Sequence, residues 1–265
     1  MLLKNLHKII ICSIFIYLPF STMAWGVIGH RVVGEIADHY LTPKAKANIF
    51  KILGNESIAM ASNYADFIKS DTNMAYVSPW HYVNVPAGKT FSEFEDFLKN
   101  DTSIDAYTKL NFMLKELKSK KITTQNKLFY LRLVIHIVGD LHQPLHVGRA
   151  EDQGGNKIKV SWFNAYSNLH RVWDEQLISS QLLSYTEYAK VINYPTVAQK
   201  KLWLNQSFNE WLFDTYQTVN KIYADIKPDE KLDYQYNFKY VSTLNNQLLK
   251  GGIHLAGILN NIYGK

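Results

Sequence analysis

The strongest constraint on the fold is the apolar run 131–146, which also contains three histidines and one aspartate. Within it, His136 and Asp140 are four positions apart, so they lie on one helix face, one turn from each other. Pro144 does not fit inside a helix, which allows the chain to turn His146 back towards that face. An imidazole and a carboxylate among apolar side chains are costly unless a partner neutralises them. The run therefore indicates a divalent metal, and zinc accepts His and Asp together; the alternative is a core helix whose polar groups bind the backbone.

Helical periodicity recurs along the chain and predicts a mainly α fold. Apolar stripes at three- and four-residue spacing predict helices near residues 42–54, 104–117, 127–143, 208–222 and 241–259. Thr42 and Pro43 are expected to open the first helix, and Gly251 with Gly252 to weaken the last. Alternation in residues 157–163 is the only clear strand signal and predicts a hairpin or an excursion between helices. The expected architecture is a single helical-bundle domain with a small β-hairpin.

Residues 1–24 have the pattern of an export signal. Lys4 and Lys8 precede a short apolar core, and Ala24 supplies a small residue for cleavage. The apolar core is shorter than the ~20 residues of a membrane span, although an uncleaved anchor is the alternative. We predict a signal peptide at 1–24 and one domain at 25–265. The protein is then secreted or periplasmic, without stable membrane association after cleavage.

Charge and cysteine content narrow the function classes. The net charge of +6 falls to +4 when Lys4 and Lys8 leave, which suits a polyanionic substrate without requiring one. Cys12 is the only cysteine and lies in the signal, so the exported chain has no disulfide, thiolate ligand or cysteine nucleophile. Its stability then depends on a large core, bound metal or both.

Two further groups of residues could complete a metal site. His170 and Asp174 share a helix face, and with His146 they form the three-ligand set that leaves zinc an open position; a surface His–Asp pair is the alternative. Cleavage after residue 24 would expose the amine of Trp25, whose pKa near ~8 allows it to bind metal. His30 lies close enough to join it, and the alternative is an aromatic start packed on the core.

Other segments are less specific when taken alone. Asp66 is followed by Lys69, and His81 lies in an extended aromatic segment. Each is better explained by a structural role unless the other segments support it. His142 is expected to pack beside the site, and His254 to be structural or exposed.

Taken in order, these segments resemble the S1/P1 nuclease family of three-zinc enzymes. The resemblance covers nearly all of residues 25–265: the Trp start with its histidine, the Tyr-Ala-Asp and His-Tyr-Val-Asn segments, the His-x3-Asp-x5-His core, the Gly-Gly-Asn turn, the Asn-Leu-His-x2-Trp-Asp helix and the Gly-Gly-Ile-His-Leu-Ala ending. It implies the phospholipase C/P1 nuclease fold and three Zn2+ ions. The implied ligands are Asp66, His81, His136 and Asp140 for the first ion, His146, His170 and Asp174 for the second, and Trp25 and His30 with a bridging Asp140 for the third.

The resemblance also implies roles in catalysis and substrate binding. Lys69 matches a basic residue near the phosphate, and Tyr82 matches an aromatic that stacks on a base. Asn84 stands where fungal members carry an aspartate for the base edge. Asn156 either orients the same pocket or holds a turn. The implied catalytic residues are Asp66, Asp140 and Lys69.

The implied activity is hydrolysis of phosphodiester bonds in single-stranded DNA and RNA to 5′-phosphorylated products by a monomer. Removal of 3′-phosphates from nucleotides is a further implied activity. A zinc phospholipase C is the alternative enzyme, but the short interval from Trp25 to His30, and Asp174 in place of Glu, favour the nuclease. A non-catalytic exported zinc-binding protein is the remaining alternative.

Overall fold

The computed structural model describes residues 25–265. The predicted signal peptide, with Lys4, Lys8 and Cys12, lies outside the described residues, so its export and cleavage stay predictions. Within residues 25–265, no helix combines the length and the apolar character that crossing a membrane requires.

Helices make up most of the described chain, as predicted. The first half contains α1 (Val27–Tyr40), α2 (Pro43–Leu53), α3 (Ile58–Ala61), α4 (Tyr64–Ile68), a 3-10 helix (Thr72–His81), α5 (Phe91–Asn100), α6 (Ala106–Leu117) and α7 (Thr124–Asp140). The second half contains a 3-10 helix (Pro144–Val147), β1 (Lys159–Trp162), β2 (Ala165–Asn168), α8 (Leu169–Arg171), a π-helical turn (Val172–Gln176), α9 (Leu177–Ser179), α10 (Tyr185–Ile192), α11 (Val197–Asn205), α12 (Phe208–Asp225), β3 (Glu230–Leu232) and α13 (Tyr234–Tyr263).

The helix boundaries follow local capping chemistry. The Thr42 side chain accepts a hydrogen bond from the backbone N–H of Ala45, and Gly54, at a φ of 66°, follows the last turn of α2. α7 ends at Asp140 instead of continuing to residue 143, because the chain then tightens into the 3-10 helix that starts at Pro144.

α7 is the central helix of the bundle. Residues 133–140 are all buried, and α1, α4, α6 and α13 pack around the helix. A helix that is buried on every side lies in the middle of a domain. The bundle therefore holds His136 and Asp140, each with 0% of its surface exposed, away from water.

The glycine pair in α13 does not interrupt that helix, and the weakening expected there stays a prediction. α13 runs unbroken from Tyr234 to Tyr263. A Cβ added to Gly252 would lie 2.4 Å from Cγ2 of Ile36, so the glycine allows α13 and α1 to approach closely. This close approach gives a packing reason for glycine at position 252, although glycine lowers helix propensity by ~1 kcal/mol.

The predicted hairpin is part of a three-stranded sheet. β1 and β2 pair antiparallel, with Trp162 opposite Ala165 and a two-residue turn at Phe163 and Asn164, which have φ values of 47° and 65°. β3 pairs with β1 in parallel and was not predicted. β2 runs directly into α8, so the sheet fixes the start of the segment that carries His170.

Candidate metal centre

α7 and the 3-10 helix after it bring the predicted core of the site together. Asp140 is the hub of this group. One carboxylate oxygen lies 3.0 Å from Nε2 of His136 and 3.0 Å from Nδ1 of His81, and the other lies 3.6 Å from Nδ1 of His146. The turn at Pro144 thus returns His146 to the helix face, as the sequence predicts.

Three of the histidines are fixed through the same ring nitrogen, Nδ1. In each case Nδ1 donates a 2.6 Å hydrogen bond to a backbone carbonyl, which sets the tautomer and directs Nε2 inwards. The pairs are His136 with Ser62, His146 with His81, and His170 with Gly154. A neutral imidazole with one fixed N–H and one free nitrogen is the form that binds a metal ion.

A second group forms where α8 enters the π-helical turn. Nε2 of His170 lies 3.0 Å from one oxygen of Asp174, and Nε2 of His146 lies 3.5 Å from the other. His146, His170 and Asp174 can each offer one ligand atom, and these atoms lie within 4.8 Å of one another. This triad coincides with the ligand set implied for the second ion.

The beginning of the described chain reaches the same centre. Trp25 is fully buried, and its indole N–H donates to the carbonyl of Gly139 over 2.7 Å. The backbone N–H of Gly26 donates to the carbonyl of Asp174 over 2.6 Å. Nε2 of His30, one turn into α1, lies 3.3 Å from Asp140.

α4 supplies the remaining predicted carboxylate. An oxygen of Asp66 lies 3.9 Å from Nε2 of His30, and the other lies 3.9 Å from Nε2 of His136 and 4.0 Å from Nδ1 of His81. Nζ of Lys69 makes a 2.7 Å ion pair with Asp66. The eight predicted His and Asp side chains are therefore gathered in one buried centre.

The ligand atoms are grouped differently from the implied sets around the first ion. The two other triads within 4.8 Å are His30, Asp66 and His136, and His81, His136 and Asp140. The rings of His30 and His136 are stacked with their centroids 3.9 Å apart, which brings His30 among the implied ligands of the first ion. Of the ligand set implied for the third ion, His30 and Asp140 are in contact with each other.

Charges inside the centre keep its carboxylates ionised. Burial alone would raise the pKa of Asp140, but the nearby rings of His136 and His146 hold that pKa well below its usual range. The same competition, with His170 as the main opposing charge, lowers the pKa of Asp174 to about 2. Burial lowers the pKa of His146, but Asp140, Asp174 and the hydrogen bond to the His81 carbonyl together outweigh it and raise that pKa to about 9. The buried carboxylates therefore require cationic partners.

The donor set fits metal cations. Several buried ring nitrogens and carboxylate oxygens lack a hydrogen-bond partner, although such atoms are normally paired in proteins. They are both ring nitrogens of His30, Oδ2 of Asp66, Oδ1 of Asp140 and Nε2 of His146. Imidazole nitrogens and carboxylate oxygens are ligands of zinc, and among the lysines and arginines of residues 25–265 only Lys69 forms an ion pair with a carboxylate of this centre.

A cleft of about 730 Å³ opens onto the centre. Lys69, Tyr82, Asn84 and Asn156, the four predicted substrate-binding residues, all line it beside His81, His146 and His170. Tyr82 is 42% exposed. Asn156 donates to the carbonyl of Gln153 over 2.8 Å, so it holds the turn while also lining the cleft.

Gln143 is a site residue that the sequence analysis missed. It is fully buried; its amide N–H donates to Oδ1 of Asp174, and its amide oxygen accepts a 2.5 Å hydrogen bond from the N–H of Leu145. A glutamine inside an apolar run was the available signal. His142, which was expected beside the site, instead bonds to the Val138 carbonyl, and its Nε2 lies 2.7 Å from His254.

Comparison with known proteins agrees with this geometry. A family model described as S1/P1 Nuclease matches residues 25–264. Endonuclease 3 of Arabidopsis thaliana is 31% identical over 267 residues, which cover 92% of this chain and 90% of that protein. Endonuclease 4 of the same plant is 31% identical with the same coverage, and Nuclease P1 of Penicillium citrinum is 27% identical over 91% of this chain and 98% of its own length.

Proposed function

The chain belongs to the S1/P1 nuclease family, and from that premise we propose that it is an exported, zinc-dependent endonuclease of single-stranded DNA and RNA. It is a nuclease by its family and by its relatives. The finer proposal is hydrolysis of phosphodiester bonds to 5′-phosphorylated products, with 3′-phosphate removal from nucleotides as an additional activity. The observation that carries it is the gathering of eight His and Asp side chains in one centre, which reaches the cleft through His81, His146 and His170.

Three zinc ions are proposed for this centre. Zinc supplies Lewis acidity, which lowers the pKa of water and stabilises negative charge on phosphate oxygens. The proposed ligands are Asp66, His81, His136 and Asp140 for the first ion, His146, His170 and Asp174 for the second, and the amine of Trp25 with His30 and Asp140 for the third. The contacts of Asp140 with four histidines support its role as the shared ligand.

The amine of Trp25 becomes available only if export removes residues 1–24. The buried indole of Trp25 and the hydrogen bond from Gly26 to the Asp174 carbonyl support this part of the proposal, because they hold the start of the domain beside two ligands. Cleavage after Ala24 would leave a neutral amine at this position near pH 8. We therefore propose that the active form begins at Trp25 in the periplasm or outside the cell.

Lys69 is proposed to act on the scissile phosphate. Its ammonium group lines the cleft while it bonds to Asp66, so one side chain lies between a proposed metal ligand and the substrate space. A cation there stabilises the negative charge that develops on phosphate oxygens during hydrolysis. Asp66 is proposed to orient this ammonium group, and Asp140 is proposed to orient the histidines around it. These are the catalytic roles that we propose for Asp66 and Asp140 beside that of Lys69.

Tyr82, Asn84 and Asn156 are proposed to hold a base. Stacking on Tyr82 is sequence-tolerant because every base has a π-face. The amides of Asn84 and Asn156 can donate and accept, so they suit more than one base edge. A base that must stack inside a cleft has to leave a duplex first, at a cost of a few kcal/mol, which explains a preference for single strands.

Two measurements on the mature protein, residues 25–265, test this proposal. Elemental analysis should give three zinc ions per chain. The protein should cut single-stranded DNA and RNA faster than duplex, lose activity to a chelator and regain it with zinc. Phosphatidylcholine serves as the control substrate for the phospholipase alternative. Hydrolysis of that lipid without cutting of nucleic acid, or full activity in chelator, would refute the proposal.

A further inference from the structure

Two exposed aromatic side chains, Tyr76 and Phe112, lie outside the lining of the cleft and have no role in the centre described above. Tyr76 is 52% exposed and Phe112 is 45% exposed. Tyr76 packs edge-on against Trp80 with ring centroids 5.4 Å apart, and Phe112 packs edge-on against Tyr130 at 5.8 Å. Both rings are therefore anchored to the protein while a large part of each faces solvent.

Lysines accompany these rings. Nζ of Lys109 lies 4.9 Å from the ring centroid of Trp80 and 5.7 Å from that of Phe112. This arrangement fixes the cation among the rings instead of leaving it free in solvent. Lys115, one turn beyond Phe112 on α6, is exposed. Residues 109–121 contain five lysines and one acidic residue, Glu116, so this segment is strongly basic.

The two segments that carry the rings and lysines both reach the edge of the cleft. Ser78, Pro79 and Tyr82 line the cleft, and Tyr76 belongs to the same 3-10 segment as the first two. The backbone N–H of Ala106, the first residue of α6, donates to the carbonyl of Tyr82 over 3.0 Å. α6 thus starts at the edge of the cleft and runs about 14 Å from Ala106 to Lys115.

We propose that Tyr76, Lys109, Phe112 and Lys115 form a binding strip for the part of a single-stranded nucleic acid that extends out of the cleft. The inference rests on the proposed function and adds a substrate-binding surface to it. Exposed rings stack on unpaired bases of any sequence, and ammonium groups pair with the phosphates between them. The basic charge of residues 109–121 complements a polyanion, and the start of α6 beside Tyr82 leads from this segment to the cleft where the polyanion would be cut.

The test compares substrates of different length on the zinc-loaded enzyme. The variants are Tyr76→Ala/Phe112→Ala and Lys109→Gln/Lys115→Gln, and the substrates are a thymidine dinucleotide and a 20-residue oligothymidylate. A phosphorothioate 20-mer, which resists hydrolysis, is used to measure binding by fluorescence anisotropy. Phe238→Ala is the matched control, because Phe238 is 87% exposed on α13, away from these residues in sequence. Zinc content and circular dichroism establish that each variant is folded.

We expect the aromatic double variant to raise the KM for the 20-mer and the Kd for its phosphorothioate by about 5- to 100-fold. Its kcat and its KM for the dinucleotide should match wild type. The lysine double variant should reduce the slope of log K against log salt by about 1.4. The proposal would be overturned if both double variants bound the 20-mer as tightly as wild type does. It would also be overturned if Phe238→Ala lost as much affinity for the 20-mer as the double variants do. If the wild-type protein bound the 20-mer through these residues but cut neither substrate, the proposed function would be refuted while the binding strip would still be supported.

Discussion

The indole nitrogen of Trp25 donates a 2.7 Å hydrogen bond to the carbonyl of Gly139, the residue immediately before Asp140. The next residue, Gly26, bonds through its N–H to the carbonyl of Asp174 over 2.6 Å. The first two residues of the described chain are thus tied to the backbone beside two proposed ligands on different elements. The position of Trp25 is consequently fixed by the same packing that builds the metal centre.

The first prediction concerns the amine of Trp25. Insertion of one serine before Trp25 in the mature protein converts that amine into an amide, which is a poor metal ligand. We expect zinc content to fall from three ions to two per chain and kcat to fall at least about tenfold. Elemental analysis and initial rates measure the two effects, and a serine added after Lys265 is the control. Three tightly bound zinc ions in the extended protein would remove the amine from the site.

The second prediction ranks two substitutions in the cleft. Asp140→Asn removes the charge that contacts His30, His81, His136 and His146. It should lower kcat by more than about 100-fold, since changes to outer partners of a metal ligand already cost 10–100-fold. Tyr82→Ala removes stacking worth ~1–3 kcal/mol and should act mainly on KM. Steady-state kinetics on single-stranded DNA decide the ranking; a larger loss of kcat in Tyr82→Ala would contradict the shared-carboxylate role.

The third prediction concerns Gln143, which orients Asp174 through its amide while the Leu145 N–H holds the amide itself. Gln143→Leu should weaken zinc binding at the triad of His146, His170 and Asp174 by about 10- to 100-fold. Competition with a chromogenic chelator measures this affinity.

Gln247→Leu is the matched control for this substitution. Gln247 is also a buried glutamine, but it bonds to the His142 carbonyl and to Thr215. The Gln247→Leu variant should have a lower thermal stability than wild type and an unchanged affinity for zinc. Equal zinc affinity in Gln143→Leu and wild type would show that Asp174 needs no such support.

The features of the fold that could be predicted from the sequence are those that depend on local periodicity. The spacing of His136 and Asp140 fixes their common face wherever α7 packs, because a helix repeats every 3.6 residues. Parallel pairing of β3 with β1 joins segments about 70 residues apart, and no local pattern encodes it. The reason for a glycine at position 252 likewise lies in a neighbour, Ile36 of α1, that only the tertiary structure supplies.

Some features of the candidate site could likewise be predicted from the sequence, and others could not. The proposed ligands followed from residue type, spacing and family resemblance, since only a few side chains bind zinc. The partners that orient those ligands did not follow, because they are backbone groups: the carbonyls of Ser62, His81 and Gly154 hold three imidazoles through their position alone. Gln143 was missed for a related reason, as its effect depends on where Asp174 lies.

The last prediction concerns pH and a carboxylate outside the metal centre. Asp105 caps α6 through Thr108, and burial, reinforced by the neighbouring Asp101, raises the pKa of Asp105 to about 6. The native state therefore holds a proton that the unfolded state releases near pH 4, so this contribution to stability is present at low pH and is lost as pH rises through 6. Asp105→Asn keeps a good N-cap and removes the charge. Above pH 7 the variant should be more stable by on the order of 1 kcal/mol after solvent screening, or about 2–4 °C in Tm. Thermal unfolding of both proteins at several pH values between 5 and 8 measures the difference, which should grow with pH; a difference that stays constant over this range would show that Asp105 is ionised throughout.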